Sequence, residues 1–289
     1  LAKGWPELAA RTELVLVEPN RGMAERQRQH LEGCPLQVRW CGFAELAAAP
    51  VRGVALAHEV LDALAVERIE WDGSQWRRQV VTLRQGMLRL EPGEPLEAWA
   101  LEHLKPLGLL VPSPERPPGW CTELHPGLAP WLRECAAALL AGRLLVIDYA
   151  LEARRYYSPA RRDGTLMAYR GQRANGDPLL EPGQWDLTAH LCLESLQQAA
   201  AANGWQQRGE RRQGEALLAL GLAERLHGLQ QEGTADLALL LQRRETLLRL
   251  VDPAGLGEFR WIAFDRQQPG EVLAVEGRVA DLFLRDPPL

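Results

Sequence analysis

Three short apolar runs along this chain end on acidic residues. ELVLVEPN carries Glu18 at its end, VALAHEVLDALAV passes from Val54–Ala57 into His58, Glu59 and Asp62, and RLLVIDYA runs into Asp148 and Tyr149. A continuous apolar run fits a strand buried on both faces, as in parallel sheets. In open sheets of that kind ligands collect beyond the carboxyl ends of the strands. Three such ends predict one polar crevice.

Between these runs the period changes to that of helices. Arg21–Glu32 has Met23, Gln27 and Leu31 about one turn apart, Gln37–Cys41 reads as a short strand, and Phe43–Ala49 as a short helix. This alternation predicts a doubly wound α/β fold. From Glu67 the pattern becomes hairpin-like: Glu67–Trp71, Gln75–Leu83 and Met87–Leu90 are separated by Asp72-Gly73 and Gln85-Gly86, turn dipeptides of antiparallel pairs. With the proline-rich stretch Pro106–Pro118, residues 67–125 read as a hairpin and proline-rich insertion between parallel strands. A helix is predicted over Pro126–Ala141, a strand over Arg143–Asp148, and a long loop, functional or disordered, over Ala150–Pro182. Beyond it come a helix at Leu187–Asn203, a strand at Trp205–Arg211, helical spacing over Glu215–Leu250 broken near Gly228 and Gly233, and a last strand at Gly257–Asp265. An apolar tail, VLAVEGRVADLFL, follows.

Composition narrows the classes. At 289 residues and 46% hydrophobic content the chain can bury a full core. Its net charge of -5 argues against non-specific nucleic-acid binding, and RQRQH, ARRYYSPARR and RGERRQ read as solvated arginine-rich faces. The bias to arginine over lysine, only Lys3 and Lys105, points to a GC-rich bacterial source; a cytoplasmic setting is expected from the cysteines, read as reduced thiols. The cysteines Cys34, Cys41, Cys121, Cys135 and Cys192 are odd in number and lack zinc-ligand spacing, so reduced thiols are expected and no metal site. No run of about 18 apolar residues suggests a membrane span.

A closing antiparallel strand beside a parallel sheet separates methyltransferase sheets from dinucleotide-binding ones. With LVEPN before AERQRQHL, ALAHEVLDALAV, GRLLVIDYA, DGTLMAYR, EPGQWDLTAHL and LGEFRWIAF in that order, the chain resembles the MidA-like family of S-adenosylmethionine-dependent methyltransferases. The resemblance covers nearly the whole chain. It implies a single Rossmann-like methyltransferase domain over residues 1–289, with a mostly parallel sheet, a terminal antiparallel strand and the inserted segment. It also implies bound S-adenosylmethionine and methylation of arginine on a protein of the respiratory NADH dehydrogenase. The family's opening strand and its ELGPGxG loop would precede Leu1, and Gly4 and Gly22 do not replace that loop. Ala65 stands where the family tends to carry proline and Ala150 where it tends to carry glycine; at a positive φ, alanine would cost about 1 kcal/mol. Two other readings share parts of the pattern: an inactive relative acting as an assembly chaperone, and a nicotinamide-dependent dehydrogenase, which leaves the terminal strand unexplained.

Each polar strand end has a chemical role to fill. Glu18, with Pro19 and Asn20, lies where a carboxylate accepts both ribose hydroxyls of an adenosine, or is a surface acid; Cys41, Gly42 and Phe43 lie where adenine is held, or Phe43 is a core aromatic. Glu59 and Asp62 would share a face if a helical turn begins there, gripping one cation between them. A guanidinium presents five donors and stays charged, so acceptors must orient it. His58 completes this catalytic set, or caps the turn. Asp148, Tyr149, Asp186 and Thr188 are substrate-binding candidates, with Asp186 equally suited to N-cap the following helix and His190 expected inside it.

Overall fold

In a computed structural model the chain is described over residues 4–231, 237–267 and 279–286. Gly233 and most of the apolar tail, residues 272–278, lie outside the described residues. Helix α1 (Pro6–Ala10) leads into β1 (Glu13–Leu16), α2 (Arg21–His30), β2 (Gln37–Trp40), α3 (Phe43–Ala48) and β3 (Val51–His58). The insertion follows as β4 (Glu67–Trp71), β5 (Trp76–Arg84), β6 (Met87–Pro95), α4 (Ala98–Leu104) and β7 (Trp120–Leu124). After α5 (Leu128–Ala138) and β8 (Leu139–Asp148) come β9 (Ala150–Leu151), α6 (Ala153–Tyr156), β10 (Met167–Arg170), β11 (Arg173–Asn175), β12 (Asp186–Thr188), β13 (Leu191–Cys192) and α7 (Leu193–Ala202). The carboxyl-terminal part contains β14 (Gln206–Arg212), α8 (Gln213–Ala219), α9 (Leu222–Gln231), α10 (Leu237–Arg249) and β15 (Arg260–Arg266).

The central sheet has the order β14-β15-β8-β3. β3 runs parallel to β8, and β15 runs antiparallel to both β8 and β14, so β3, β8 and β14 share one direction and the antiparallel β15 is inserted between β8 and β14. Apolar residues of β8 and β15 are buried between α5 and α7 with Leu61, Leu132, Leu144, Val146, Leu196, Ile262 and Phe264 in one core. Residues 67–124 make a second, antiparallel sheet of order β6-β5-β4-β7. It has its own core, in which Trp76 meets Trp71 and Trp120 edge-on at 5.6 and 5.8 Å.

Two differences from the sequence reading have local causes. The helix expected to reach Ala141 stops at Ala138, because Leu139 already pairs with Val51 of β3. Gly142 makes this possible: it sits at φ +144, and a Cβ there would lie 1.9 Å from the carbonyl oxygen of Gly53 on the neighbouring strand. Ala150 lies in buried strand β9 without a positive φ, so alanine there carries no left-handed strain.

β1 and β2 form a separate parallel pair. The outer edge of β3 has no strand partner among the described residues, and Val54 and Leu56 are 72% and 64% exposed. Apolar strand residues at an open edge are costly to leave in water and are a template for a further strand.

The close approach of β3 to β8 predicts that Gly142→Ala lowers unfolding free energy by at least about 2 kcal/mol, from φ strain and overpacking together. Urea denaturation reads this directly, and an unchanged midpoint would show that the two strands can separate without cost.

Candidate active site

β3 and β8 end side by side, with His58 opposite Ile147 in the register. The chain then reverses over residues 59–64. Glu59 opens this reversal at φ +51, a left-handed conformation that costs a non-glycine residue of order 1–3 kcal/mol and persists where its surroundings fix it. Its N–H donates to Ile147 O at 3.0 Å, and Leu64 N–H to Leu61 O at 3.2 Å. No helical turn spans Glu59 to Asp62. The two carboxylates are brought together by this tight reversal instead, close enough that the charge on Glu59 acts on Asp62.

Asp148 holds the reversal in place. It is fully buried, and its Oδ2 accepts the N–H groups of Leu61 and Asp62 at 3.1 and 3.2 Å while Oδ1 accepts that of Tyr149 at 2.8 Å. Expected to contact substrate, the carboxylate is in the structure taken up by backbone donors and positions the 59–62 segment. Burial, and then the charge of Asp62, pushes Asp148 up to about 7 in spite of the three donors. Burial, and then the charge of Glu59, pushes Asp62 up to about 6. Asp62 Oδ1 is buried without a hydrogen-bond partner.

An aromatic wall stands beside these acids. The Tyr149 ring lies 4.1 Å from that of Phe259 and stacks on His190 at 5.6 Å and 11°, while His58 lies 6.0 Å from Phe259. Burial, reinforced by Arg161, takes His190 down to about 4, so its ring is neutral near pH 7. His58 and Glu59 are both about half exposed and 3.8 Å apart.

Asp186 and Thr188 belong to β12 rather than to a helix, and α7 begins only at Leu193, so Asp186 is not an N-cap. His190 lies between β12 and β13, outside the helix as well. The reason is pairing: β12 runs antiparallel to β10, with Tyr169 opposite Asp186, which converts the expected loop into an arm of β10, β11 and β12. Ala189 N–H donates to Asp62 O at 3.0 Å, seating the arm on the reversal. Asp186 thereby acts electrostatically on Asp62, and Tyr169 on Tyr149. Sequence reasoning missed Tyr169 and Phe259. The first lay in a stretch read as loop; the second had the signature of an ordinary core aromatic.

At the neighbouring strand ends the expected nucleotide residues follow β1 and β2. Glu18 accepts the Asn20 N–H at 2.8 Å and Gln27 Nε2 at 3.1 Å, and as a carboxylate it keeps further lone pairs for ribose hydroxyls. Asn20 caps α2 by accepting the Met23 N–H at 3.0 Å, with exposed Pro19 between it and Glu18. Cys41 N–H donates to Leu16 O, Gly42 N–H to Glu45 Oε2, and Phe43 packs edge-on against Trp131 at 6.1 Å. These features fit the adenosine half of a nucleotide: an acid after β1 and a glycine turn after β2.

A partly parallel sheet closed by an antiparallel strand, with acids beyond its strand ends, is the architecture of a Rossmann-like methyltransferase. A family model described as "putative S-adenosyl-L-methionine-dependent methyltransferase" matches residues 1–211. The chain belongs to that family. It is similar to a COG1565 superfamily member from Burkholderia thailandensis crystallised with S-adenosyl-homocysteine: 26% identity, TM-score 0.78, covering 96% of this chain and 67% of that one. A crystal structure of a COG1565 superfamily protein from the same organism gives 28% identity and TM-score 0.78, over 96% and 70% of the two chains. No curated protein matches.

The raised acids predict a pH dependence with a definite sign. A carboxyl whose folded pKa lies above its ordinary value contributes stability fully present below that ordinary value and lost as pH rises through the folded one. Unfolding free energy should therefore fall as pH rises through about 6 and about 7, and Asp62→Asn should flatten part of the slope. Urea titrations between about pH 5 and about pH 8 check it; a slope identical in the variant would remove Asp62 as a source.

Proposed function

We propose that this enzyme transfers a methyl group from S-adenosylmethionine to an arginine of a protein substrate, and that the substrate is a subunit of a respiratory NADH dehydrogenase in the bacterial cytoplasm. The carrying observation is the pairing of Glu59, Asp62 and Asp186 with the partly exposed rings of Tyr149 and neutral His190, which buried Phe259 backs from the core. A guanidinium offers flat donors at its edge and a cationic face, so carboxylates around it and aromatic rings against it suit both. The NADH dehydrogenase target is supported by the ordered motifs of the MidA-like family. The neighbour's bound S-adenosyl-homocysteine, the demethylated cofactor, supports the cofactor.

The cofactor supplies an electrophilic methyl on a sulfonium, so the protein's task is alignment and charge placement. Exposed Glu59 accepts the guanidinium N–H groups and fixes which nitrogen faces the methyl. Asp62 Oδ1, buried and without a partner, accepts the proton released as that nitrogen is methylated. Its upward-shifted pKa of about 6 lets it take a proton and return it near neutrality.

The cofactor's methionine end needs close backbone approach. One further parallel strand, entering a glycine-rich loop, would fit between β1 and the open edge of β3 and cover Val54 and Leu56. A chain extended upstream through such a strand and loop should bind S-adenosylmethionine far more tightly by calorimetry than one starting at Leu1. Equal, tight affinity would show that the residues from Leu1 onward suffice.

Glu59→Gln should reduce methyl transfer about a hundredfold or more, by comparison with removal of one catalytic electrostatic contact, while cofactor affinity changes far less. The assay is transfer of labelled methyl to a recombinant NADH dehydrogenase subunit. Undiminished transfer removes Glu59 from the mechanism. A cofactor-bound wild type that transfers nothing points instead to an assembly-binding role.

A further inference from the structure

Glu123 on β7 is fully buried, yet it belongs to the insertion and not to the strand ends described above. Its Oε2 accepts the Thr165 N–H at 2.9 Å, the Thr165 hydroxyl at 3.1 Å and the Tyr156 hydroxyl at 3.2 Å, and its Oε1 accepts the Leu166 N–H at 3.3 Å. Gly164, at φ +75, lets the loop wrap the carboxylate: a Cβ there would lie 2.0 Å from Oε1. An acid taken this far from water is retained only where donors surround it.

The contacts lead onward to the candidate active site. Thr165 Oγ1 also accepts the His190 N–H at 3.1 Å, so one threonine joins Glu123 to the residue stacked on Tyr149. Two residues beyond Thr165, β10 begins and pairs with β12, setting Tyr169 opposite Asp186. The Ala189 N–H then closes the circuit on Asp62 O. Glu123 thus sits at the root of the arm whose two strands bring Tyr169 and Asp186 toward the catalytic acids. Cys121 N–H to Arg162 O at 2.7 Å and Arg68 Nη2 to Asp163 O at 2.9 Å add two more ties from the inserted sheet to the same loop.

We propose that Glu123 is a positioning residue for acceptor recognition: the inserted sheet uses its buried carboxylate to fix the β10–β12 arm, and with it Tyr169, Asp186 and His190, over the acceptor pocket. The assignment rests on the reading of that pocket as the methyl-acceptor site. It gives the insertion a task in catalysis although none of its residues reaches the strand ends.

The test separates positioning from simple folding and from failure of the functional reading. In Glu123→Gln an amide N–H₂ faces backbone donors, so hydrogen–deuterium exchange over residues 165–170 and 186–190 should rise about tenfold or more, the worth of one hydrogen bond to a charged group, while β3 and β8 stay protected. Gly164→Ala, which displaces the loop and keeps the acid, should give the same local pattern. In the full chain with its cofactor, KM for a recombinant NADH dehydrogenase subunit should rise, with kcat/KM down about a hundredfold, as for displacement of a bound group by about 1 Å; the KM for S-adenosylmethionine should not move. Exchange rising equally throughout the chain would reduce Glu123 to a folding residue and overturn the proposal. A looser arm with unchanged acceptor KM would overturn it too. Absence of transfer by the wild type would sink the arginine reading, and the exchange measurement would still decide whether Glu123 anchors the arm.

Discussion

The buried carboxylate of Asp148 is the interaction on which the candidate active site depends. β8 delivers it to the end of the parallel sheet, where it gathers N–H groups from Leu61, Asp62 and its own neighbour Tyr149. Without those acceptors the 59–62 reversal would leave donors unpaired in a dry core, a cost of about 1–3 kcal/mol each. Glu59, at φ +51, opens the same reversal, its N–H donating to Ile147 O. Two strands of one sheet are thereby tied at the point where the chain changes direction, and the acids of the pocket inherit the rigidity of that tie.

Holding two acids so close has an electrostatic consequence. Asp62 and Asp148 are both pushed upward, chiefly by burial, so near neutrality the site has a group able to exchange a proton. The aromatic wall works in the same direction. A neutral His190 stacked on Tyr149 adds polarisable surface to the site without adding positive charge. The acids and the rings beside them are brought together by β3, β8 and the 256–260 segment, from separate parts of the chain.

What the sequence revealed follows from how local its signals are. The α/β order, the antiparallel closing strand and the acidic strand ends were legible because apolar runs and their termini are written in consecutive residues. The β10–β12 arm was not. Its strands are short, Met167–Arg170 and Asp186–Thr188, and they pair across a long intervening segment, so Asp186 was read as a helix cap as readily as a substrate contact, and His190 as helical. Asp148 was read as facing the ligand because strand-end position says nothing about which way a carboxylate turns; only the N–H groups of Leu61 and Asp62 decide that. Phe259 was likewise invisible, since its contacts with Tyr149 and His58 need the return of the chain from α10.

The split between the β1–β2 pair and the central sheet connects fold to function. Parallel strands are stable when both faces and both edges are covered, and β3 meets the first condition poorly, with Val54 and Leu56 in water. Yet β3 is also the strand that carries His58 and leads directly into Glu59. A strand docked on its free edge would lengthen the parallel sheet and stiffen the reversal that follows. The arm seated by Glu123 is tied both to the inserted sheet and, through the Ala189 N–H, to the reversal itself, so the two sheets meet at the candidate acids.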